Sequence, residues 1–154
     1  MKIRSAVPDD VSRLTRVAVN AIAGSGYSIE QTEIWSRTFT DEYLAHVVRK
    51  DVVIVVEMDD VIAGFGSLTD HGETAGNVDL LYVDPKFSRR GVGKRLVRAI
   101  EGEALRLDMT SLWVDASAPA MHRLLQLGYR PREKNLKIIE SVTFENTWMM
   151  KTFL

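Results

Sequence analysis

The spacing of apolar residues changes several times along the chain, and each change marks an element. Residues 2–7 alternate as a strand does, and Pro8-Asp9-Asp10 ends them, with Asp9 or Asp10 placed to cap a following helix. Val11, Leu14, Val17, Ala18 and Ala21 then recur at helical spacing to about Ile22, where Gly24-Ser25-Gly26 breaks the run. Less regular helical stretches follow over 29–35 and 40–49, the second opened by Thr40, Asp41 or Glu42. Residues 52–56 are all β-branched and too few for a helix to be preferred, so they read as a buried strand. A turn at 58–60 returns the chain in a strand over 61–68, and His71-Gly72-Glu73 turns it again into a strand over 77–83.

Beyond that, residues 91–107 predict a long amphipathic helix with Leu96, Val97, Ile100, Ala104 and Leu107 inward. Residues 111–115 read as a strand with Leu112 and Val114 inward. Residues 119–127 read as a helix closed by Gly128. Two last strands are expected over 138–142 and 147–153. The order of elements gives a mixed sheet flanked by helices, α/β or α+β. With no repeat or linker, one domain over 1–154 is expected.

Composition narrows the function classes. A chain of 154 residues that is 45% hydrophobic and 27% charged is a globular protein with a real core. It has no cysteine, which removes disulfides, a thiolate nucleophile and Cys-ligated zinc. Twenty basic residues against 21 acidic ones leave a charge of −1, so no overall field draws the chain to nucleic acid or membrane. No apolar run nears the roughly 20 residues needed to span a bilayer, and the first residues carry no signal-peptide segment. A cytoplasmic protein is expected. His46 and His122 have no second ligand at metal spacing, so no metal site is expected.

The most informative stretch runs from Asp79 to Val97. A predicted strand stops at Val83-Asp84-Pro85, a basic turn of Ser88-Arg89-Arg90-Gly91-Val92-Gly93 follows, and a helix opens at once. The first turn of a helix has unpaired N–H groups and a partial positive charge. Glycines let an anion approach the backbone, and Arg89, Arg90, Lys94 and Arg95 add charge, so a diphosphate fits. It is not a Walker A loop, because Ser88 stands where glycine is required and Arg95 where Ser or Thr must hold magnesium. Nor is it a dinucleotide fingerprint, because Leu96 replaces the third glycine.

This stretch resembles the signature of the GNAT acyltransferase superfamily: Gln or Arg, two residues, Gly, one residue, then Gly or Ala, after a strand ending Val-x-Pro. Ser88 takes the Gln/Arg position, the one departure from that pattern. Val61-Ile62-Ala63-Gly64-Phe65-Gly66 resembles the third strand of that family, and Ala120 to Leu127 with Gly128-Tyr129 its helix and Gly-aromatic pair. The runs Asp79-Leu80-Leu81-Tyr82-Val83, Asp115-Ala116-Ser117 and Asn146-Thr147-Trp148-Met149-Met150-Lys151 are similar to the YafP-like branch.

The resemblance implies a mostly antiparallel sheet of about six to seven strands in which a bulge splays the fourth and fifth apart, forming a cleft for acetyl-CoA. It implies an N-acetyltransferase acting by direct attack of a primary amine, on a small molecule or a peptide. The N–H of Leu81 would contact the acetyl oxygen, Tyr82 and Val83 would border the pantetheine arm, and Ser88 through Lys94 (Ser88, Arg89, Arg90, Gly91, Val92, Gly93, Lys94) would hold the pyrophosphate. Asp79, expected on the same strand face as Leu81, is a candidate base, with His71 and Glu73 at the mouth. The usual acid of the family is a Tyr, and Leu124 stands there instead. Ser117, Tyr82 and Tyr129 are the other candidates to protonate the thiolate, and Ser117 is also placed to bind the arm. Leu124 favours a second reading, a coenzyme-binding sensor without catalysis. Trp35 belongs to the core or to the acceptor end. Met149, Met150 and Phe153 are expected to be exposed, and both a monomer and a homodimer fit.

Overall fold

The computed structural model describes residues 1–153, and Leu154 lies outside them. Seven strands form one sheet: β1 (Lys2–Ser5), β2 (Val52–Met58), β3 (Val61–Thr69), β4 (Ala75–Val83), β5 (Ser111–Ala116), β6 (Arg130–Ile139) and β7 (Val142–Thr152). Their order across the sheet is β1-β2-β3-β4-β5-β7-β6, and every pair is antiparallel except β4 with β5. Helices α1 (Val11–Ala23), α2 (Ile29–Arg37) and α3 (Asp41–Lys50) precede β2. Helix α4 (Val92–Arg106) lies between β4 and β5, and α5 (Ala118–Gln126) between β5 and β6. The mixed, mostly antiparallel sheet expected from the sequence is therefore present.

Two cores sandwich the sheet. On one face Leu96, Val97 and Ile100 of α4 pack with Ile54, Leu68, Val78, Leu112, Val114 and Met149. On the other Leu14, Val17 and Ile22 of α1 and Leu44 and Val47 of α3 pack with Val53, Val55, Phe65 and Leu80. The β-branched run of β2 alternates between the two, which is why it is buried on both sides. Ser28 and Gln31 form a capping box at α2, and Thr40 caps α3 by accepting from the Tyr43 N–H.

Three local expectations change. Residues 138–142 are not one strand: Glu140 and Ser141 both have positive φ and form the turn of the β6–β7 hairpin, and β6 begins eight residues earlier, at Arg130. Met149 is fully buried against α4, leaving Leu136 and Ile138 of the edge strand β6 as the exposed apolar residues near that end. Asp10 lies in a short helical turn and makes no cap bond to α1.

Asp10 is instead an internal ion. Its Oδ2 accepts from Arg4 Nη1 at 2.7 Å and the Val7 N–H at 2.8 Å, and its Oδ1 accepts from Arg4 Nη2 at 2.9 Å and Arg13 Nη2 at 2.6 Å. The side chain is fully buried, and the Arg4 bond holds its carboxyl below the usual 3.8. Deleting Asp10 leaves Arg4 paired with Glu57 and both arginines within reach of water, so the cost is that of the lost charge-assisted hydrogen bonds and of the Val7 N–H, about 1–3 kcal/mol. D10A should lower the denaturation midpoint accordingly, while D9A at the exposed neighbour should stay within about 0.5 kcal/mol. A depressed carboxyl stabilises fully above its unfolded pKa and loses that contribution as pH falls through the folded value. The gap between D10A and wild type should therefore narrow below about pH 3.8 in acid denaturation.

Candidate active site

Strands β4 and β5 pair only from Ala75 with Ser111 to Val78 with Val114. Beyond Val78, β4 stays on β3 as far as Val83, while β5 stays on β7, so a gap opens between them. The split coincides with a bulge. Ser67 faces Leu80 and Leu68 faces Val78, which leaves Asp79 as an extra residue on β4. In a regular strand residues 78 and 80 share a face. Here Val78 packs with α4, Leu80 packs with α1 and α3, and Leu81 takes the α4 face.

The bulge also fixes where the N–H groups point. The Leu80 N–H donates to Ser67 Oγ at 3.0 Å, and the Asp84 N–H donates to the Ala63 carbonyl at 2.8 Å, both on β3. Alternation along the strand turns the N–H groups of Leu81 and Val83 the opposite way, into the gap. Ser67, fully buried, is a positioning residue that the sequence pattern did not single out.

The gap leads to the start of α4. Asp84 closes β4: its Oδ1 accepts from the Lys86 N–H at 3.0 Å and its Oδ2 from Asn20 Nδ2 at 3.3 Å, tying the turn to α1. Buried Phe87 anchors the turn, with Arg90 stacked 5.5 Å above its ring. Arg89 and Gly91 both have positive φ, a backbone form that gathers N–H groups into an anion-binding concavity. The first α4 residue whose N–H reaches a carbonyl at the helix start is Arg95, on Gly91 at 3.1 Å. The N–H groups of Val92, Gly93 and Lys94 are thus open donors at the positive end of a 15-residue helix. A Cβ on Gly91 would meet nothing within 4 Å, and one on Gly93 would lie 3.8 Å from Val83 Cγ2. That distance places the first turn of α4 beside the end of β4, so cradle and gap are neighbours. Ser88, Arg89, Arg90, Lys94 and Arg95 are exposed along the cradle. An open cradle of main-chain donors beside a strand-width slot fits a diphosphate with an extended arm.

The other candidates fall in different places. Asp79 is exposed at the bulge, and its charge acts on Tyr43, Asp51 and Tyr82, on the α1–α3 side and not on the face of Leu81. The same-face expectation fails because the extra residue resets the alternation. Ser117 follows β5 at the start of α5, and its hydroxyl makes no capping bond. Tyr129 is fully buried, its hydroxyl has no partner among the described residues, and burial with the nearby Glu101 carboxylate pushes its pKa up. It is a core residue, sealed from the gap. Tyr82 turns to the α1–α3 side, where its hydroxyl accepts from Trp35 Nε1 at 3.2 Å and burial raises its pKa. Leu124 is core. His71 and Glu73 are exposed in the β3–β4 loop.

One polar group was missed by sequence reasoning. Asp115 of β5 holds Lys137 Nζ at 2.9 Å and accepts from Asn146 Nδ2 at 3.4 Å, and Tyr27 donates to Asn146 Oδ1 at 3.3 Å. The sequence did mark Asp115 and Asn146 in runs similar to the YafP-like branch, but it gave neither a role nor a partner. Among the described residues no group of three or more His, Asp or Glu side chains is arranged to hold a metal, and no helix is long and apolar enough to cross a membrane.

Comparison with known proteins gives the same architecture. A model of the acetyltransferase (GNAT) family matches residues 20–129. The uncharacterised N-acetyltransferase YafP of Escherichia coli (strain K12) is 26% identical over 97% of this chain and 94% of its own length. A GCN5-related N-acetyltransferase from Rhodopseudomonas palustris superposes with a TM-score of 0.90 at 28% identity, covering 99% of this chain and 95% of that one. The PaiA N-acetyltransferase of Thermoplasma acidophilum, solved in complex with coenzyme A, shares the fold with a TM-score of 0.85 at 18% identity, covering 99% of this chain and 98% of that one.

Proposed function

This chain belongs to the acetyltransferase (GNAT) family, and we propose that it transfers an acetyl group from acetyl-CoA to a primary amine by direct attack. The observation that carries this reading is the adjacency of the β4 donors Leu81 and Val83 to the α4 donors Val92, Gly93 and Lys94. Acetyl-CoA supplies a thioester whose carbonyl accepts a nucleophile. Arg89, Arg90 and the α4 amides would bind the diphosphate, and Val83 would pair with the arm as a neighbouring strand does. The Leu81 N–H would donate to the acyl oxygen as negative charge develops there.

An ammonium has no lone pair, so a base must take its proton first. Asp79 stands at the root of the gap, where β4 and β5 begin to part, with its carboxylate in solvent, and would do this through water. The amine nitrogen then bonds to the acyl carbon as the carbon–sulfur bond breaks, and it releases its second proton to solvent water as the amide forms. The departing thiolate takes a proton from the uncommitted Ser117 hydroxyl, replenished by solvent, or from water directly.

A second reading has its own observation. Leu124, buried where the family usually places a Tyr acid, fits a coenzyme-binding sensor that has lost turnover. The two separate in one assay, thiol release from acetyl-CoA across an amine panel beside binding calorimetry. The enzyme reading expects amine-dependent thiol release, with D79N lowering kcat by about 10²-fold or more at neutral pH. Binding of acetyl-CoA with no thiol release on any amine would establish the sensor instead.

A further inference from the structure

Asp79 and Asp115 are each the first residue beyond the last β4–β5 pair, so one carboxylate stands at the root of each arm of the gap. Asp115 is the more enclosed, its side chain 14% exposed. Its Oδ2 holds Lys137 and accepts from Asn146, and its buried Oδ1 accepts from nothing among the described residues. The Lys137 ammonium lies at the same time 5.3 Å from the centre of the Trp35 ring. A carboxylate beside an indole is a cage for an ammonium ion. Here the edge strand β6 fills it with a lysine whose own side chain is 39% exposed and free to swing outward.

The same sheet face continues into a shelf. Trp148 of β7 sits opposite Asp115 on one side and opposite Glu133 of β6 on the other. Asn77 and Trp113 complete an open cavity of about 280 Å³ with these two residues. Glu133 is exposed and makes no ion pair among the described residues. Two strand steps put Glu133 and Asp115 roughly 10 Å apart, with an indole between them. The face thus offers two anionic positions separated by aromatic surface, one of them occupied by a surrogate cation.

We infer that the acceptor is an aliphatic diamine. Its reacting ammonium enters the Asp115–Trp35 cage by displacing Lys137, and its second ammonium lies on the Trp113–Trp148 shelf against Glu133. This rests on the acetyltransferase reading above. Asp115 binds and orients the amine, Asp79 across the gap receives its proton, and the methylene chain covers Trp148.

The test is a titration of the protein, saturated with coenzyme A, with a long-chain diamine and with the monoamine of equal length, following the indole N–H signals in a ¹⁵N spectrum. Single Trp→Phe variants assign the three signals. The diamine is expected to shift the signals of Trp35, Trp113 and Trp148 and to bind at least tenfold more tightly than the monoamine. E133Q should remove that advantage, and K137M should tighten diamine binding by clearing the cage. Equal affinity for the two amines, or a diamine that leaves Trp113 and Trp148 unmoved, overturns the inference. Saturation with coenzyme A is measured first and separately. Its failure would strike the acetyltransferase reading, whereas an amine result of the kind just described strikes only the diamine.

Discussion

Replacing Leu81 by proline is expected to lower kcat by about 10²–10³-fold while leaving coenzyme A affinity nearly unchanged. Loss of one preorganised donor to a developing oxyanion has an effect of that size. The substitution is selective because the Leu81 N–H points into the gap, whereas β3 takes the N–H groups of Leu80 and Asp84. Proline deletes an N–H only at its own position, and it favours an extended conformation in the residue before it, which Leu80 already has. Unchanged thermal unfolding shows that the strand survives. Should the ring strain β4, an ester at the 80–81 linkage removes the same donor without it. If kcat stays within threefold in a folded variant, the acyl oxygen is held elsewhere.

The second large effect falls on the cradle. Gly91 has φ of +81° and open space where its Cβ would be. Aspartate and asparagine tolerate left-handed backbone better than other side chains, so both G91D and G91N should fold. G91D puts a carboxylate where the diphosphate would lie, and G91N puts a neutral group of the same shape there. Coenzyme A affinity should fall by about 10²-fold or more in G91D and by far less in G91N, read by calorimetry at low salt. The charge difference is the decisive quantity, because like charges a few ångströms apart at a partly enclosed site repel by some kcal/mol. Equal losses in the two variants would mean that steric fit, not the field at the start of α4, governs binding.

How far these features could be read in advance depended on whether their cause was local. The β2–β3 hairpin was legible because a β-branched run meets a two-residue turn, and Asp59 and Asp60 do both adopt positive φ. The start of α4 was legible because Val83, Pro85, Gly91 and Gly93 each constrain the backbone by themselves. The first half of β6 was not: Arg130 to Lys134 are all exposed at a sheet edge, so no apolar alternation marks them as strand. The next turn carries no glycine, and Ile138, Ile139 and Val142 around it mimic one continuous strand.

The resemblance implied a bulge, but its place at Asp79 escaped for a related reason. Asp79 is a poor strand residue, but one such residue does not fix a bulge's position, and the extra residue goes with a contact from a different strand, where buried Ser67 accepts from the Leu80 N–H. The contacts of Asp115 depend on partners 22 and 31 residues along the chain, Lys137 and Asn146, and spacing alone does not bring them together. Sequence located the loop by local geometry. The polarity of the acceptor face needed the sheet to be assembled.

The central claim is that main-chain donors along β4 and at the start of α4 grip the coenzyme. Titrating ¹⁵N-labelled protein with coenzyme A and following the backbone amides tests it most directly. The account predicts saturable shifts concentrated at Leu81, Val83 and Gly91 through Lys94, in the direction of stronger hydrogen bonding, with the amides of α3 nearly still. A folded protein in which those amides do not move at millimolar coenzyme A would contradict it.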